Sequence, residues 1–492
     1  MTLLYFVSNP VAFTGRDATT LTFTFGKTMD IKLSFLGAAR NVTGSRYLLE
    51  AHGHKVLIDC GLYQEHDLKE RNWSPSPVPP EEIDSVVLTH AHLDHCGLLP
   101  RLVKEGFRNS IYATPPTADM ARVVLEDCAK INEEDAEYKR RRHEKEGRKG
   151  PHPEVPLYTV EEAKAVFPYF KSVDFDVPFE AAPGIEVTFR QVGHILGAAM
   201  VRVRVVQNGE SRTIVFSGDV GRNDMPILND PDPVGDADYI VCESTYGNRL
   251  HGSQADIPTE LARVVNATAD ARGNLIIPSF AIERTQDLIY YLAQLLRANR
   301  IPHLQIFIDS PMAVTISGIF KRYPRLFDMS TTMLLRNYRM PGLTLVRTIA
   351  QSKTINHIRG TAIIIAGSGM CTGGRIKHHL LKNLPNPDAT ILFVGYQARE
   401  TLGRELINGA KSVRILGEEC PVRARIERIS GFSAHADQGE LTAWLKTTTQ
   451  PPRHVFVTHG EPEAAEAFAA HLKNTLDWQA TVPDFMQEIC LE

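Results

Sequence analysis

At 492 residues the chain exceeds what one hydrophobic core usually spans, about 250–300 residues, so two structural units are expected. Hydrophobic residues at 43 % and charged residues at 23 % are those of a folded globular protein, and no run approaches the roughly 20 apolar residues of a membrane span. A net charge of -4 excludes bulk attraction for a polyanion, so any nucleic acid would have to meet a locally basic cleft.

The seven cysteines are scattered and form no CxxC pair, which fits a reducing, cytoplasmic setting. Residues 1–28 lack a basic leader followed by an apolar run. Thr/Phe alternation over 21–25 could form a short edge strand, but the segment reads as a flexible extension ahead of a better-patterned start at Met29.

From Asp30 the pattern is β-rich: 31–36, 45–50 and 55–59 are short alternating or apolar runs separated by Gly and Asn turns. Residues 86–89 form a buried strand ending in His90-Ala-His-Leu-Asp-His95, and 98–105 reads as a helix. Polar groups thus sit at a strand's carboxyl end, where open α/β layers hold ligands. Helical spacing runs through 117–130. The charged stretch 137–149 follows, with Lys139, Arg140, Arg141, Arg142, Lys145, Arg148 and Lys149. Interleaved glutamates make it a solvated helical face, with nucleic-acid contact as the alternative. Strands resume at 185–192, 199–207 and 212–216, and 238–242 closes the first half.

From residue 275 the grammar changes to repeated strand, loop and helix. The strand 274–278 leads to a helix at 285–297, 305–309 to one at 314–323, and 361–366 through the glycine-rich 367–374 loop to a helix with His378 and His379. Such alternation predicts a parallel sheet flanked by helices, hence a second α/β domain. After Pro421 come a strand at 425–430, a helix at 439–447, a strand at 455–458 and a helix at 463–476.

His90-x-His92-x-Asp94-His95 packs four candidate ligands into six residues. Imidazole suits zinc, and an added carboxylate lets two adjacent cations share a cluster. Two cations need more ligands, and His194, Asp219 and His459 each occupy a glycine-flanked turn after or at the end of an apolar strand. Singly, each is more often a satisfied turn or core residue; their order behind the first cluster reverses that reading. Glu243 ends a strand and His435 sits in a Ser-Ala-His turn, and either alone is ambiguous. The 367–374 loop is a candidate phosphate cradle, although a tight strand-to-helix turn explains its glycines equally well. Ser368, Arg375, Arg284 and Lys377 could form a basic rim, and Ser433 a further phosphate contact.

The ordered series of His90, His92, Asp94, His95, His194, Asp219 and His459, with Leu57-Ile-Asp-Cys-Gly61 upstream, resembles the metallo-β-lactamase superfamily. Glu243-Ser-Thr-Tyr-Gly247, Gly431-Phe-Ser-Ala-His-Ala-Asp437 and Val457-Thr-His-Gly-Glu461 are similar to its β-CASP branch, the nucleases related to the polyadenylation-specificity endonuclease subunit. The resemblance spans nearly all of 29–492, with no departure at a metal-ligand position.

It implies an α/β fold: a four-layer αββα sandwich from 29–243 and 432–492, interrupted by a β-CASP domain at 244–431. It also implies two zinc ions. His90, His92 and His194 would hold one, Asp94, His95 and His459 the other, and Asp219 would bridge them, with Asp59 orienting a ligand. The catalytic set would be Asp94, Glu243 and His435, the last donating a proton to the leaving oxygen.

The implied activity is zinc-dependent hydrolysis of single-stranded RNA. RNA is favoured because members acting on it carry histidine at the position of His459. An endonucleolytic cut is expected, since the chain leaves no room after its last sandwich helix for the extra domain of the RNase J group. The rival readings are a 5′-to-3′ exoribonuclease, a small-ester or thioester hydrolase, which would not need the insert, and a non-catalytic RNA-binding scaffold, which the filled ligand positions disfavour. Homodimer formation stays open.

Overall fold

The computed structural model describes residues 29–492 apart from 148–153, 253, 329–332, 334–335, 359 and 398–399. The expectations for 1–28, including an edge strand at 21–25, lie outside the described residues.

The strand-rich start becomes β1 (Ile31–Phe35), β2 (Tyr47–Ala51) and β3 (His54–Ile58), an antiparallel meander. It continues in parallel through β4 (Ser85–Val87), β5 (Ser110–Ala113) and β6 (Phe170–Ser172). A second sheet takes β7 (Phe179–Ala182), β8 (Ile185–Gln191), β9 (Ala199–Gln207), β10 (Glu210–Phe216) and β11 (Tyr239–Glu243). In β9, Val201, Val203 and Val205 are buried while Arg204 is exposed, the period of two that a half-covered strand requires. Phe35, Val56 and Ile58 of the first sheet share one core with Val187, Val203 and Phe216 of the second.

Residues 275–428 build a third sheet. Its strands are β12 (Leu275–Pro278), β13 (Gln305–Asp309), β14 (Leu343–Leu345), β15 (Ala362–Ala366) and β16 (Thr390–Phe393), joined after the hairpin β17 (Ser412–Ile415) and β18 (Glu418–Pro421) by β19 (Arg425–Arg428). The order is β14-β13-β15-β12-β16-β19, with every pair parallel. Ala-Ile-Ile-Ile-Ala in β15 is buried throughout, as a strand covered on both faces must be.

The chain then returns to the sandwich. β20 (His454–Thr458) lies parallel to β11, β21 (Ala480–Thr481) follows it, and β22 (Gln487–Leu491) pairs antiparallel with β1. The sheet orders are β22-β1-β2-β3-β4-β5-β6 and β21-β20-β11-β10-β9-β8-β7. Leu99, Leu102, Ala121 and Leu125 cover the outer face of the first sheet, and Leu441, Leu445, Phe468 and Leu472 that of the second, which completes four αββα layers.

One element is longer than the sequence pattern indicated: 117–130 and most of the charged stretch form a single helix, Pro115–Glu146. Thr114 caps its start and Gly147, in the left-handed region, ends it. Its buried residues stop at Ala136. Beyond that point Arg141 pairs with Glu137 and Arg142 with Glu146 at 2.8 Å, so this half is a solvated, self-paired face. Arg148 and Lys149 lie outside the described residues. The buried half meets the insert: Asp119 accepts from Tyr323 Oη at 2.5 Å and pairs with Arg322 at 3.1 Å, and Ile316, Ile319 and Phe320 join the same core. No helix among the described residues is long and apolar enough to cross a membrane.

Gly61 marks where the first sheet presses on the ligand-bearing turn: a Cβ built there would lie 1.7 Å from the Asp94 carbonyl oxygen, a backbone atom with no room to yield. Gly61→Ala is expected to destabilise the fold by at least about 1–3 kcal/mol, the usual range for overpacking. Gly318→Ala, in the helix Pro311–Phe320 with nothing within 4 Å of the new methyl, should stabilise by up to about 1 kcal/mol. Urea unfolding of both variants checks this, and equal midpoints would contradict it.

Candidate metal centre

Both sheets deliver polar groups to one edge. His90 follows β4, His92 caps the short helix Leu93–Cys96 that carries Asp94 and His95, and His194 lies between β8 and β9. Asp219 follows β10, Glu243 is the last residue of β11, and His459 follows β20. Because β10, β11 and β20 run parallel side by side, groups at their carboxyl ends must meet.

They meet in two neighbouring groups, His90, His92 and His194 with Asp219, and Asp94 with His95 and His459, and Asp219 also stands with Glu243 and His435. In one, His92 Nδ1 lies 3.0 Å from His90 Nε2 and 3.2 Å from His194 Nε2, and Asp219 Oδ2 is 3.3 Å from both Nε2 atoms. In the other, His95 Nε2 lies 3.1 Å from His459 Nε2 and 3.2 Å from Asp219 Oδ1, while His459 Nε2 is 3.4 Å from Asp219 Oδ1 and 3.5 Å from Asp94 Oδ2. Each oxygen of one carboxylate therefore faces a different set of imidazoles.

The opposite ring nitrogens show what these sets are for. His95 Nδ1 donates to Asp59 Oδ2 at 2.7 Å, His90 Nδ1 to Thr89 Oγ1 at 3.0 Å, His459 Nδ1 to Thr245 Oγ1 at 3.1 Å and His194 Nδ1 to the Ala434 carbonyl at 3.3 Å. Thr89 Oγ1 in turn donates to Asp59, and Thr245 Oγ1 to the His459 carbonyl, so both hydroxyls accept from the rings. Four Nε2 lone pairs thus point inward at an acidic centre. Asp219 Oδ1 is buried without a hydrogen-bond partner, and the Ser45 hydroxyl, 3.4 Å from His95 Nε2, is the donor at hand. A buried carboxylate faced by imidazole nitrogens, with one oxygen left unpartnered, fits metal cations, and an N/O set of this kind suits zinc.

Burial disfavours the charge on Asp219, but His459, His95 and His90 outweigh it and hold its carboxyl well below the usual range. Burial also opposes a proton on His459, yet Asp219 and Asp94 lift it to about 9. Burial first, then the neighbouring imidazole of His90, pushes His92 down to about 3. Cys96, next to His95, is fully buried with its thiol toward the Ala91 carbonyl, away from the cluster.

Beside the cluster stands a pair that neither cation set requires. His435 Nδ1 is 3.1 and 3.2 Å from the two oxygens of Glu243 and 4.0 Å from Asp219 Oδ2. Glu243 also accepts from the amides of Val220 at 2.7 Å and Thr245 at 3.3 Å. Burial works against charge on His435, but Glu243 and Asp219 raise its pKa.

The rim residues expected from sequence fare differently. Arg284 is 5 % exposed, bonds Asp287 at 2.9 Å and lies 5.6 Å over the buried ring of Phe432, so it is a cation of the domain junction and not of a rim. Ser433 is buried and its hydroxyl accepts from the His435 amide at 3.3 Å, shaping that loop. Arg375 is tied to Asp309 at 2.6 Å. Ser368 Oγ accepts from the Gly373 amide within its own loop, and Lys377 is half-buried. The loop reaches the metal edge through its neighbour: Gln397 donates to the Gly369 carbonyl, and Tyr396 Oη to Glu461 at 2.7 Å, two residues past His459. Sequence reading missed Arg249 and Arg428, exposed cations near Tyr246, whose ring lies 6.2 Å from that of His435. It also missed Thr89 and Thr245, since a lone threonine beside a histidine carries no pattern.

Known proteins agree with this architecture. Residues 40–264 match the metallo-beta-lactamase superfamily, 285–406 the Beta-Casp domain and 419–483 the Zn-dependent metallo-hydrolase RNA specificity domain. Ribonuclease TTHA0252 of Thermus thermophilus is 38 % identical over 431 residues, covering 87 % of this chain and 92 % of its own. Transcription termination factor FttA of Methanosarcina mazei is 28 % identical over 464 residues, covering 91 % and 69 %. A crystal structure of a protein of unknown function from Enterococcus faecalis aligns over 94 % of this chain and 100 % of its own, with TM-score 0.50 and 11 % identity, which bears on fold alone. The fold and site define a metallo-β-lactamase-fold hydrolase with a metal-binding cluster. More particularly, the chain belongs to the β-CASP family of metal-dependent ribonucleases.

Asp59 touches the centre through His95 and, by way of Thr89, through His90, so it tests whether ring orientation matters. Asp59→Ala should weaken metal binding by about 10- to 100-fold. Chelator titration of metal-loaded protein reads this, and unchanged affinity would contradict it.

Proposed function

We propose that the chain is a two-zinc endoribonuclease that hydrolyses single-stranded RNA, with His435 as the proton donor to the leaving oxygen. The observation that carries this reading is the His435–Glu243 pair standing 4.0 Å from Asp219, outside both ligand sets. A plain zinc hydrolase needs the ligands and not this pair.

His90, His92, His194 and Asp219 would hold one zinc, and Asp94, His95, His459 and Asp219 the other. When bound, such a pair supplies Lewis-acid charge against the phosphate oxygens and acidifies water. The chain's own groups do the rest. Asp59, Thr89 and Thr245 fix the imidazoles, and Glu243 holds His435 through Nδ1, which leaves Nε2 to give up its proton. As the oxygen of hydroxide, from a water that has released its proton to solvent, bonds to phosphorus, the bond from phosphorus to the leaving oxygen breaks, and that oxygen takes the His435 proton. Arg249 and Arg428, exposed near Tyr246, support a polyanion beside His435 despite the negative net charge.

His435→Ala should keep two metals per chain and its RNA affinity, yet cleave about 10² to 10⁴ times more slowly. Glu243→Gln should follow it less severely, whereas His459→Ala should lose metal as well as rate. Metal analysis and single-turnover cleavage of internally and end-labelled RNA and DNA strands check this. Near-normal cleavage by His435→Ala, or metal loss equal to that of His459→Ala, would remove the assignment, and products released only from an end would remove the endonucleolytic mode.

RNA affinity should fall as salt rises, and Arg249→Glu or Arg428→Glu should each lower the slope of log Kd against log salt by about 1. An unchanged slope in both variants would place the binding face elsewhere.

A further inference from the structure

Glu243 fixes only the ring of His435; the backbone from which that ring projects is held by another segment. His251, just beyond β11 and the turn that follows it, has its Nε2 3.0 Å from the His435 carbonyl oxygen. Its own amide donates to Asp437 Oδ2 at 2.7 Å, and Gln438 Nε2 donates to the Gly247 carbonyl at 2.7 Å. The His251 ring stands edge-on to Tyr246 at 4.4 Å, between the metal edge and the start of the insert. With the Gln438 amide, which donates to the Arg249 carbonyl at 3.2 Å, residues 247–251 and 435–438 are clamped together at four points.

His251 belongs to neither cation set. Burial, followed by the nearby Arg222 guanidinium, lowers its pKa to about 4, so the ring is neutral and Nε2 must carry the hydrogen to donate to a carbonyl. A neutral ring pinned to a backbone oxygen neither binds metal nor exchanges protons with substrate from that atom. What it does is set where the His435 backbone stands, and a reacting group displaced by about 1 Å can lose 10²-fold in rate.

We propose that His251 is a positioning residue for the His435 acid, acting solely through its Nε2–H···O=C bond to the His435 carbonyl. This rests on the reading of His435 as proton donor. The two are separated by four full-length zinc-loaded proteins: His251→Ala, His251→Gln, His435→Ala and the double alanine variant. Each is measured for single-turnover cleavage, RNA affinity, metal content and thermal unfolding.

His251→Ala should cleave about 10- to 100-fold more slowly with RNA affinity and metal content unchanged. His251→Gln, whose amide can donate to the same carbonyl, should recover to within about 3-fold of the parent and keep the claim testable if the alanine protein folds poorly. The double variant should be no slower than His435→Ala alone, because two groups that act as a unit do not add. The proposal is overturned if His251→Ala slows the His435→Ala protein as much as the parent, if RNA or metal binding falls in step with rate, or if glutamine does no better than alanine. Normal cleavage by His435→Ala would instead fail the proton-donor reading, and a slow His251→Ala beside it would overturn the positioning role too.

Discussion

The site depends on one buried carboxylate. Asp219 is 1 % exposed and surrounded by imidazoles on both of its oxygens, an arrangement that would be costly unless charge is compensated within the cluster. The fold solves this by alignment. β10, β11 and β20 run parallel in adjacent positions, so Asp219, Glu243 and His459 emerge next to one another without a long loop. Across the sandwich, the turn after β4 brings His90 to His95 down onto the same point, held by the Ser45 amide bond to the Asp94 carbonyl and the Cys60 amide bond to the His95 carbonyl.

That alignment also explains where the insert is placed. Glu243 is the last residue of β11, and His435 comes just after the chain re-enters the sandwich, 192 positions later. Their hydrogen bond ties the two ends of the insert together beside the metal edge. Arg222 adds to the junction by bonding the Gly431 carbonyl at 2.8 Å and Glu440 at 3.0 Å. The inserted sheet is thereby anchored to the sandwich at the Glu243–His435 pair.

Much of this was legible in the sequence, for physical reasons. Strands such as β9 and β13 announce themselves through side-chain alternation or an unbroken apolar run, and the dense His-x-His-x-Asp-His turn has no use in a core. Short strands such as β6, β14 and β21 were not legible, because two or three residues carry no period. Arg284 misled for a different reason: a cation at a helix start beside a glycine-rich edge reads as exposed, and only the tertiary packing against Phe432 buries it. Arg249, Arg428 and His251 are isolated in sequence and gain meaning only when the chain folds back on itself.

As the proposed proton donor, His435 would deliver the proton that the leaving oxygen needs. An RNA carrying sulfur in place of that bridging oxygen supplies a leaving group that departs as a thiolate and needs no proton. Single-turnover cleavage of this RNA should be nearly as fast with His435→Ala as with the parent protein, while the ordinary RNA keeps the full defect. If the sulfur-substituted RNA shows the same loss of rate as the ordinary one, His435 does something other than protonate the leaving group.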